Sequence, residues 1–364
     1  MKYLDEFRDS RLAEALISRI QGSNARKLNF MEVCGTHTVA ILRSGIKERL
    51  RGKINLISGP GCPVCVSSNE DVDKAILIGH MDGVILVTFG DLLKVPGSFS
   101  SLEKEKADGS DIRVVYSSLD ALEIARKNPH RRVVLVAIGF ETTAPTVAFA
   151  VSSAQKLRLS NFFILSFHKL IPPVMKTLLD MGEVNLHGFI CPGHVSAIIG
   201  SRPYQFIGRD YRIPCVIAGF EPTDILQAIF MLLCQQREYD GQVMIQYKRG
   251  VFEKGNPVAL DLIHKVFEVC ETHWRGIGTI PRSGLRLRDE YREFDAEYFF
   301  DIPQGEDHEH PGCICGQILR GIKEPIDCEL FDKVCHPHHP IGPCMVSMEG
   351  SCAAYYYYGG RENR

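Results

Sequence analysis

The stretch INLISGPGCPVC, residues 54–65, joins a short apolar run to a turn of glycine, proline and cysteine. Its first five residues are rich in branched apolar side chains, which predicts a β-strand. After the turn, Ser68 is a good helix cap, and Glu70 and Asp71 suit a first helical turn, so a helix should follow. The stretch therefore predicts one strand–turn–helix unit of an α/β protein.

The same alternation continues along the chain. Further β-rich runs are predicted at residues 84–89, 112–116, 133–138, 162–166, 188–190 and 215–218, with helical stretches between them. Such alternation favours parallel sheets built from βαβ units. We therefore predict an α/β fold with two Rossmann-like domains, residues 30–130 and 131–235, whose sheets face a central cleft. A mainly helical third domain should span residues 236–364, with a helix near 260–272, and an opening helix within residues 1–29 should pack on it.

Acidic and basic residues nearly balance: 42 Lys and Arg stand against 44 Asp and Glu, and 45% of the residues are hydrophobic. This is the composition of an ordinary globular protein, and no basic surplus indicates a nucleic-acid partner. Residues 1–20 mix charged with apolar side chains and contain no apolar stretch typical of a secretion signal or a membrane span. We therefore expect a cytoplasmic protein with neither a membrane nor a nucleic-acid partner.

The 13 cysteines are the unusual feature of the composition. An odd number of cysteines without an export signal argues against a disulfide framework, so reduced thiols for metal binding or redox chemistry are expected. Those nearest the C-terminus are Cys313, Cys315, Cys328, Cys335, Cys344 and Cys352. Such clustering is typical of a metal centre rather than of core packing.

Cys62 and Cys65 form a CxxC pair in the turn that follows the first predicted strand. A CxxC pair at the start of a helix lies beside unpaired N–H groups, which favour the thiolate and lower the cysteine pKa. The motif therefore predicts a redox-active or metal-ligating pair. Two buried thiols, or half of a zinc site, are the alternative interpretation.

Cys34 and His37 lie three residues apart in the run CGTHT, residues 34–38. Soft sulfur together with nitrogen suits iron or zinc, and the adjacent glycine permits close approach of a ligand or of another segment. Taken alone, a buried cysteine and a hydrogen-bonded histidine explain the pair equally well. Together with the CxxC pair, it indicates a metal site.

Two further strand ends carry polar loops, at residues 139–145 and 191–194. Glu141, Thr142 and Thr143 offer a carboxylate and two hydroxyls to a small polar ligand, and backbone N–H groups in such loops can hold an anion. His194 belongs to the second loop. Neither loop is a Walker A or GxGxxG motif, so nucleotide binding gains no support. Tight strand-to-helix turns without a ligand explain their composition equally well.

Four of the C-terminal cysteines suit either a four-iron, four-sulfur cluster or zinc. These four are Cys313, Cys328, Cys335 and Cys352. Their spacing matches neither a paired-CxxC zinc ribbon nor a bacterial ferredoxin run. Zinc stays open because histidines lie nearby, namely His308, His310, His336, His338 and His339. The residues alone predict a metal centre without deciding its type.

Together these motifs resemble those of the HypD family of nickel–iron hydrogenase maturation proteins. The resemblance covers essentially the whole chain. It rests on CGTHT at 34–38, GPGCPVC at 59–65, GFETTAP at 139–145, PGHVS at 192–196 and the order of the C-terminal cysteines. One departure is VSS at residues 66–68, where relatives are expected to carry Thr-Pro.

The resemblance implies a scaffold, rather than a classical enzyme, on which iron carrying two cyanides and one carbon monoxide, Fe(CN)2CO, is assembled in complex with the small protein HypC. Cyanide would come from HypE, and the group would pass indirectly to the hydrogenase large-subunit precursor. Cys34 would be the iron-binding thiolate shared with HypC, with His37 nearby. Cys62 and Cys65 would line the same cleft, both as a redox pair and as further ligands of the scaffold iron. The family's four-iron, four-sulfur ligands match Cys313, Cys328, Cys335 and Cys352.

Two other functions stay open at this point. An iron–sulfur-dependent thiol–disulfide reductase would use the same cluster and CxxC pair without assembling iron at Cys34. A zinc-stabilised interaction protein would hold zinc at the C-terminal cysteines. No motif assigns a role to Cys315 or Cys344.

Overall fold

The computed structural model describes residues 7–23, 26–238, 241–303 and 309–359. Its strands are β1 (Leu28–Glu32), β2 (Ile54–Ser58), β3 (Val84–Thr88), β4 (Ile112–Val114), β5 (Arg132–Gly139), β6 (Phe162–His168), β7 (Gly188–Pro192), β8 (Cys215–Ala218), β9 (Val243–Ile245), β10 (Phe267–Trp274) and β11 (Gly278–Leu287). Its helices are α1 (Ser10–Gln21), α2 (Gly35–Arg43), α3 (Ile46–Leu50), α4 (Pro63–Val66), α5 (Asn69–Gly79), α6 (Leu102–Ala107), α7 (Ser118–Lys127), α8 (Ala144–Lys156), α9 (Ile171–Met181), α10 (Gly193–Ile199), α11 (Gln205–Tyr211), α12 (Pro222–Glu238), α13 (Pro257–Val266), α14 (Ala296–Phe299), α15 (Cys315–Leu319) and α16 (Ser351–Tyr358). None of these helices is long and apolar enough to cross a lipid bilayer.

Parallel strands form two sheets in the described part of the chain. Sheet A has the strand order β2-β1-β7-β8-β9, and sheet B has the order β4-β3-β5-β6. Every pairing within either sheet is parallel, whereas β10 and β11 form an antiparallel hairpin. The predicted α/β fold class, with parallel sheets in Rossmann-like units, is confirmed.

Both sheets combine strands from the two predicted ranges. β1 and β2 lie in sheet A, whereas β3 and β4 join β5 and β6 in sheet B, and β7 and β8 return to sheet A. The ranges 30–130 and 131–235 therefore do not correspond to the two sheets, and sheet A is discontinuous in sequence. Hydrophobic periodicity locates a strand but carries no information about its partner, so the sequence does not show this crossing.

Each sheet is buried on both faces, as parallel sheets usually are. Along β5, Val134 and Val136 enter a core shared with sheet A, while Val133 and Leu135 pack against α7, α8 and the β10–β11 hairpin. This alternation is the two-residue period of a strand. The other face of sheet A packs against α1, α2, α3 and α12.

The opening helix packs on sheet A and not on the C-terminal region. α1 buries Leu16, Ile17 and Ile20 among side chains of α3 and α12. Residues at this spacing form one apolar stripe, and the stripe covers the apolar surface of α12. The prediction that the helix within residues 1–29 packs on the third domain is therefore wrong.

The region after residue 240 is less helical than predicted. α13 ends at Val266, and the residues expected to extend this helix to 272 form β10 instead. β10 pairs with β11 along most of its length, so sheet pairing overrides the local helical pattern. The cysteine-rich part carries the short helices α15 and α16 and two 3-10 turns, Pro325–Asp327 and Pro343–Met345, among irregular segments.

Replacing Ile20 with alanine should lower the free energy of unfolding by about 2–5 kcal/mol, because this α1 side chain is fully buried between α1 and the rest of the protein. Leu12→Ala, at a position of the same helix that is 38% exposed, is the matched control and should cost less than about 0.5 kcal/mol. Urea unfolding followed by circular dichroism measures both variants. Equal, small losses would show that α1 adds nothing to the stability of sheet A.

Candidate functional site

A cleft of about 510 Å³ lies where the carboxyl ends of the two sheets face each other. Sheet A lines it with the loops after β1, β2 and β7, and sheet B with the loops after β3, β4 and β5. The strand order reverses between β1 and β7 and between β3 and β5, which is where α/β proteins bind ligands. The polar or thiol side chains that line the cleft are Cys34, Thr36, Asp91, Tyr116, Thr142, Thr143, His194 and Glu349.

Cys34 follows β1 and begins α2. Its backbone N–H donates to Glu32 Oε2 at 2.8 Å, and the Thr38 hydroxyl donates to the other oxygen of the same carboxylate. Burial raises the pKa of the Cys34 thiol to about 12, although the N–H groups of His37 and Thr36 beside it favour the thiolate. The free thiol is therefore protonated at neutral pH, and a metal ion that binds Cys34 must displace a proton.

The CxxC loop runs directly alongside Cys34. The Gly35 N–H donates to the Gly61 carbonyl at 3.0 Å, and a Cβ atom at Gly61 would lie 2.1 Å from the Cys34 nitrogen. Only glycine fits this crossing of two main chains. The segments that carry Cys34 and Cys62, distant in sequence, therefore meet at the wall of the cleft.

The two thiols of the CxxC pair have different neighbours. Cys62 caps the short helix α4, and its Sγ accepts a hydrogen bond from the Cys65 N–H at 3.3 Å. The Cys65 thiol is fully buried and contacts Cys62 on one side and Cys344 on the other. Burial raises the Cys65 pKa well above its usual range, which is opposite to the predicted lowering at a helix start. One turn of helix does not offset the loss of hydration.

His37 faces away from the cleft. Its Nε2 donates to the Gly219 carbonyl at 2.9 Å, and its ring stacks on Phe220 with centroids 5.0 Å apart. Burial lowers the pKa of His37 to about 4, so the ring is neutral, and its Nδ1 has no hydrogen-bond partner among the described residues. His194 stacks on the same Phe220 but lines the cleft. His37 therefore holds α2 against the loop after β8.

The loop after β5 divides its polar side chains between the cleft and the interior. Thr142 and Thr143 line the cleft, as a ligand-binding role requires. Glu141 is buried, and its Oε1 accepts a hydrogen bond from the Ile171 N–H at 3.1 Å, at the start of α9. Burial raises the pKa of Glu141 to about 8. Glu141 therefore joins β5 to α9 instead of facing a ligand.

The C-terminal cysteines surround a second, smaller cavity. It is lined by the thiol residues Cys313, Cys315, Cys328, Cys335, Cys344 and Cys352 together with Ile318, Leu330, Phe331, Gly342 and Met345. A Cβ atom at Gly342 would lie 2.7 Å from Cys313 Sγ, so this glycine leaves room for the thiol. Within the described residues, no three His, Cys, Asp or Glu side chains are grouped so as to hold a single metal ion. Four soft thiols in an apolar surrounding are the donor set of an iron–sulfur cluster, whose irons sit at separate corners.

Cys344 connects this cavity with the CxxC pair. Its thiol contacts Cys315 within the cavity and Cys65 outside it. Cys65 in turn contacts Cys62. A continuous row of thiols therefore leads from the C-terminal cavity to the loop that meets Cys34.

Comparison with known proteins decides the family. A family model described as HypD, hydrogenase formation hypA family, matches residues 11–359 of the chain. The chain belongs to the HypD family.

Close relatives are named as hydrogenase maturation factors. Hydrogenase maturation factor HypD2 of Bradyrhizobium diazoefficiens is 47% identical over 369 residues, which cover 99% of this chain and 97% of that protein. Hydrogenase maturation factor HypD of Rhizobium leguminosarum bv. viciae is 46% identical over 99% of this chain and 96% of that protein. The corresponding factor of Cupriavidus necator is 44% identical over 99% and 97%. The family predicted from the motifs is confirmed, and this HypD-family chain is a hydrogenase maturation factor.

The histidines that left zinc as an alternative metal in this HypD-family chain do not line the cysteine cavity where the structure describes them. His336, His338 and His339 are neighbours of one another, with ring centroids 6.2 Å apart, and none of them lines the cysteine cavity. His310 is also absent from the lining that the structure describes. His308 lies outside the described residues.

Sequence reasoning missed several residues of the HypD-family cleft. Glu349 accepts a hydrogen bond from the Thr36 hydroxyl at 2.6 Å, and Asp91 accepts one from the Ser347 hydroxyl at 2.9 Å. Residues 347–349 therefore connect both walls of the cleft. Tyr116, two residues after β4, is 96% exposed at the rim. The only sequence signal available was position, because Asp91 follows the run predicted at 84–89 and Tyr116 ends the run predicted at 112–116.

Gly61→Ala should lower the free energy of unfolding by about 1–3 kcal/mol, because the new methyl group forces the CxxC loop away from Cys34. Gly52→Ala is the matched control, since a Cβ atom there meets nothing within 4 Å. Chemical denaturation gives the stability of both variants. Iodoacetamide labelling, quantified by mass spectrometry, should show faster alkylation of Cys34 in Gly61→Ala alone. Equal labelling and equal stability in the two variants would contradict the close crossing.

Glu141→Gln should become progressively more stable relative to the unsubstituted chain as the pH rises. The Glu141 pKa is about 8 in the folded chain against an ordinary value of 4.5, so the folded state holds the proton more tightly. The neutral carboxyl contributes its full stability below pH 4.5, where Glu141 is protonated in both the folded and the unfolded chain. This contribution is lost as the pH rises from there through about 8, the pKa of Glu141 in the folded chain. The neutral amide avoids that loss, which amounts to at most about 1.4 kcal/mol per pH unit. Urea unfolding at acid and alkaline pH measures the trend, and a constant difference would refute it.

Proposed function

We propose that this chain is the scaffold on which the Fe(CN)2CO group of nickel–iron hydrogenases is assembled, in complex with HypC and with cyanide from HypE. The observation that carries the proposal is the meeting of Cys34 with the CxxC loop at the wall of the cleft. Iron is cargo here and not a resident cofactor. The finished group passes indirectly to the hydrogenase large-subunit precursor.

Cys34 provides the thiolate that holds the iron. Iron that carries cyanide and carbon monoxide is low-spin and needs few protein ligands, so one or two thiolates in a shielded cleft suffice. The Cys34 side chain lines the cleft but is only 7% exposed, which limits the access of water to a bound iron. The thiol of HypC completes the protein ligands, and Cys62 and Cys65 stand in the adjoining loop.

The loop after β5 receives the cyanide ligands. Cyanide nitrogens carry negative charge and accept hydrogen bonds, and the Thr142 hydroxyl lies at the cleft wall beside the first turn of α8. The positive end of this helix favours an anion there. His194, exposed on the opposite sheet, is a second possible donor. The carboxylates of Asp91 and Glu349 are already occupied by Ser347 and Thr36, respectively.

The C-terminal cavity is the proposed site of a four-iron, four-sulfur cluster. The ligands carried over from the family are Cys313, Cys328, Cys335 and Cys352. Cys352 lies near the other three, and the remaining wall is apolar, which suits a cluster shielded from water. When bound, such a cluster supplies electrons one at a time.

The CxxC pair provides the redox support for cyanide delivery. When Cys62 and Cys65 form a disulfide, they release two electrons and two protons, which the cyanide donor takes up as it delivers cyanide. Cys344 contacts Cys65, and a Cys315–Cys344 dithiol can reduce this disulfide by exchange, becoming a disulfide itself while Cys62 and Cys65 regain two protons. This exchange gives Cys315 and Cys344 a role that the sequence left unassigned.

Partners and location follow from the same proposal. HypC and HypE dock at the open side of the cleft, where the rim includes the exposed Tyr116. The names of the relatives support a role in hydrogenase maturation. The proposed location is the cytoplasm, without a membrane or nucleic-acid partner.

An iron–sulfur-dependent thiol–disulfide reductase is the second candidate. The contact of Cys344 with both Cys65 and Cys315 favours it, because this is the arrangement that thiol exchange needs. A reductase has no use for a buried thiol at Cys34. The two functions therefore separate on whether Cys34 carries iron.

Cys34→Ala should abolish the cyanide and carbon monoxide stretches in the infrared spectrum of the complex purified anaerobically with HypC. Without the sulfur, the cleft loses its iron ligand, while the fold loses only one small side chain. Cys234→Ala, a partly buried cysteine of α12 away from both cavities, is the matched control and should keep every band.

Unchanged bands in Cys34→Ala would refute the scaffold site. A protein whose complex with HypC shows no cyanide or carbon monoxide bands at all, but which reduces disulfides, would favour the reductase. The colour of the purified protein separates both functions from a zinc-stabilised interaction protein. A brown sample supports the iron–sulfur cluster, and a colourless, zinc-loaded sample refutes it.

A further inference from the structure

The turn between β10 and β11 is pressed against the segment that follows the CxxC pair. The Arg275 N–H donates to the Val66 carbonyl at 2.9 Å, and the Arg275 Nε donates to the Ser67 carbonyl at 2.6 Å. A further guanidinium nitrogen donates to the Pro96 carbonyl at 3.3 Å. Arg275 is only 4% exposed. These bonds fix the main chain one and two residues after Cys65.

The same turn contacts the helix that begins at Cys315. Gly276 has a φ of +68°, and a Cβ atom there would lie 2.2 Å from the Gly316 Cα. A Cβ atom at Gly316 would lie 2.7 Å from the Gly276 Cα. The two glycines therefore let the main chains touch. The Arg275 guanidinium lies near the Cys315 thiol as well.

Buried side chains anchor the hairpin behind this turn. The Lys169 side chain is 1% exposed, and its Nζ donates to the His273 carbonyl at 2.7 Å and to Asp71 Oδ2 at 3.2 Å. Trp274 is fully buried, and its Nε1 donates to Ser283 Oγ at 2.9 Å. Asp71 lies in the first turn of α5, so the hairpin is tied to the helix that follows the CxxC loop. These hydrogen bonds of buried side chains hold the turn in place against the segments that follow Cys65 and Cys315.

We propose that the turn at Arg275 and Gly276 is the positioning element that holds Cys65 and Cys315 on either side of Cys344 for thiol–disulfide exchange. Arg275 acts through the main chain after Cys65, and Gly276 acts through the main chain after Cys315. Exchange requires one sulfur to approach another closely and in a defined direction, so displacement of either segment slows it. The inference rests on the redox support proposed above and adds the residues that set its geometry.

The experiment maps disulfides in the full-length protein after anaerobic purification and limited oxidation with diamide. Diamide takes up two electrons and two protons as two thiols form one disulfide. Remaining thiols are then blocked with N-ethylmaleimide at successive times, and mass spectrometry identifies the linkages. The unsubstituted protein should form linkages that include Cys344.

Two variants change the turn without touching a cysteine. Arg275→Lys keeps the positive charge but loses the fork that reaches the Ser67 and Pro96 carbonyls. Gly276→Ala places a methyl group against Gly316. In both, the rate of linkage through Cys344 should fall on the order of tenfold. Arg282→Lys, an exposed arginine of the same hairpin, is the matched control and should leave the rate unchanged.

Each outcome decides the inference. Unchanged rates in Arg275→Lys and Gly276→Ala would overturn the positioning role, and so would an equal fall in Arg282→Lys. Cys191 and Cys215 are buried in sheet A and report on the fold as a whole. If a slower rate of linkage through Cys344 comes with faster alkylation of these two cysteines, the fold has loosened generally, and the positioning role is overturned. If the unsubstituted protein forms no linkage through Cys344, the proposed redox route itself fails, independently of the turn.

Discussion

Direct contact between the main chains of Cys34 and Gly61 is the constraint on which the rest of the structure depends. The two residues follow neighbouring strands, and the pairing of Glu32 with Ser58 at the ends of β1 and β2 brings the loops together. The absence of a side chain at Gly61 then allows contact. Sheet register therefore sets the distance between the Cys34 thiol, the proposed iron ligand, and the CxxC loop.

Burial, more than helix position, governs the ionisable groups around this contact. The pKa of Cys34 rises to about 12, that of Glu141 to about 8 and that of Glu32 to about 7, each mainly because the charged form loses hydration. Local N–H groups oppose the effect at Cys34 without reversing it. The Cys34 thiol is therefore protonated in the unloaded protein, and ligation by a cation would ionise it.

The sequence was informative where the determining physics is local. Strand β2, the Ser68 cap and the loops after β2, β5 and β7 follow from apolar runs and turn chemistry, whereas strand β1 before Cys34 was not predicted. Partners that are distant in sequence did not follow, so neither the division of strands between the sheets nor the contact of Cys65 with Cys344 was foreseen. Residue type also does not show which way a side chain points. Glu141 belongs to a loop that lines the cleft, yet its carboxyl points into the interior and accepts a hydrogen bond from Ile171.

The discontinuity of sheet A has a consequence for biosynthesis. β3 to β6 are consecutive in the chain, so sheet B can form as soon as its own strands have been made, whereas the β1–β2 pair must wait for β7 before sheet A can be completed. Such long-range pairing is slow because closing the large intervening loop costs entropy before the contact rewards it. Both walls of the cleft therefore exist only after most of the polypeptide has left the ribosome, and a nascent or truncated chain has no finished cleft.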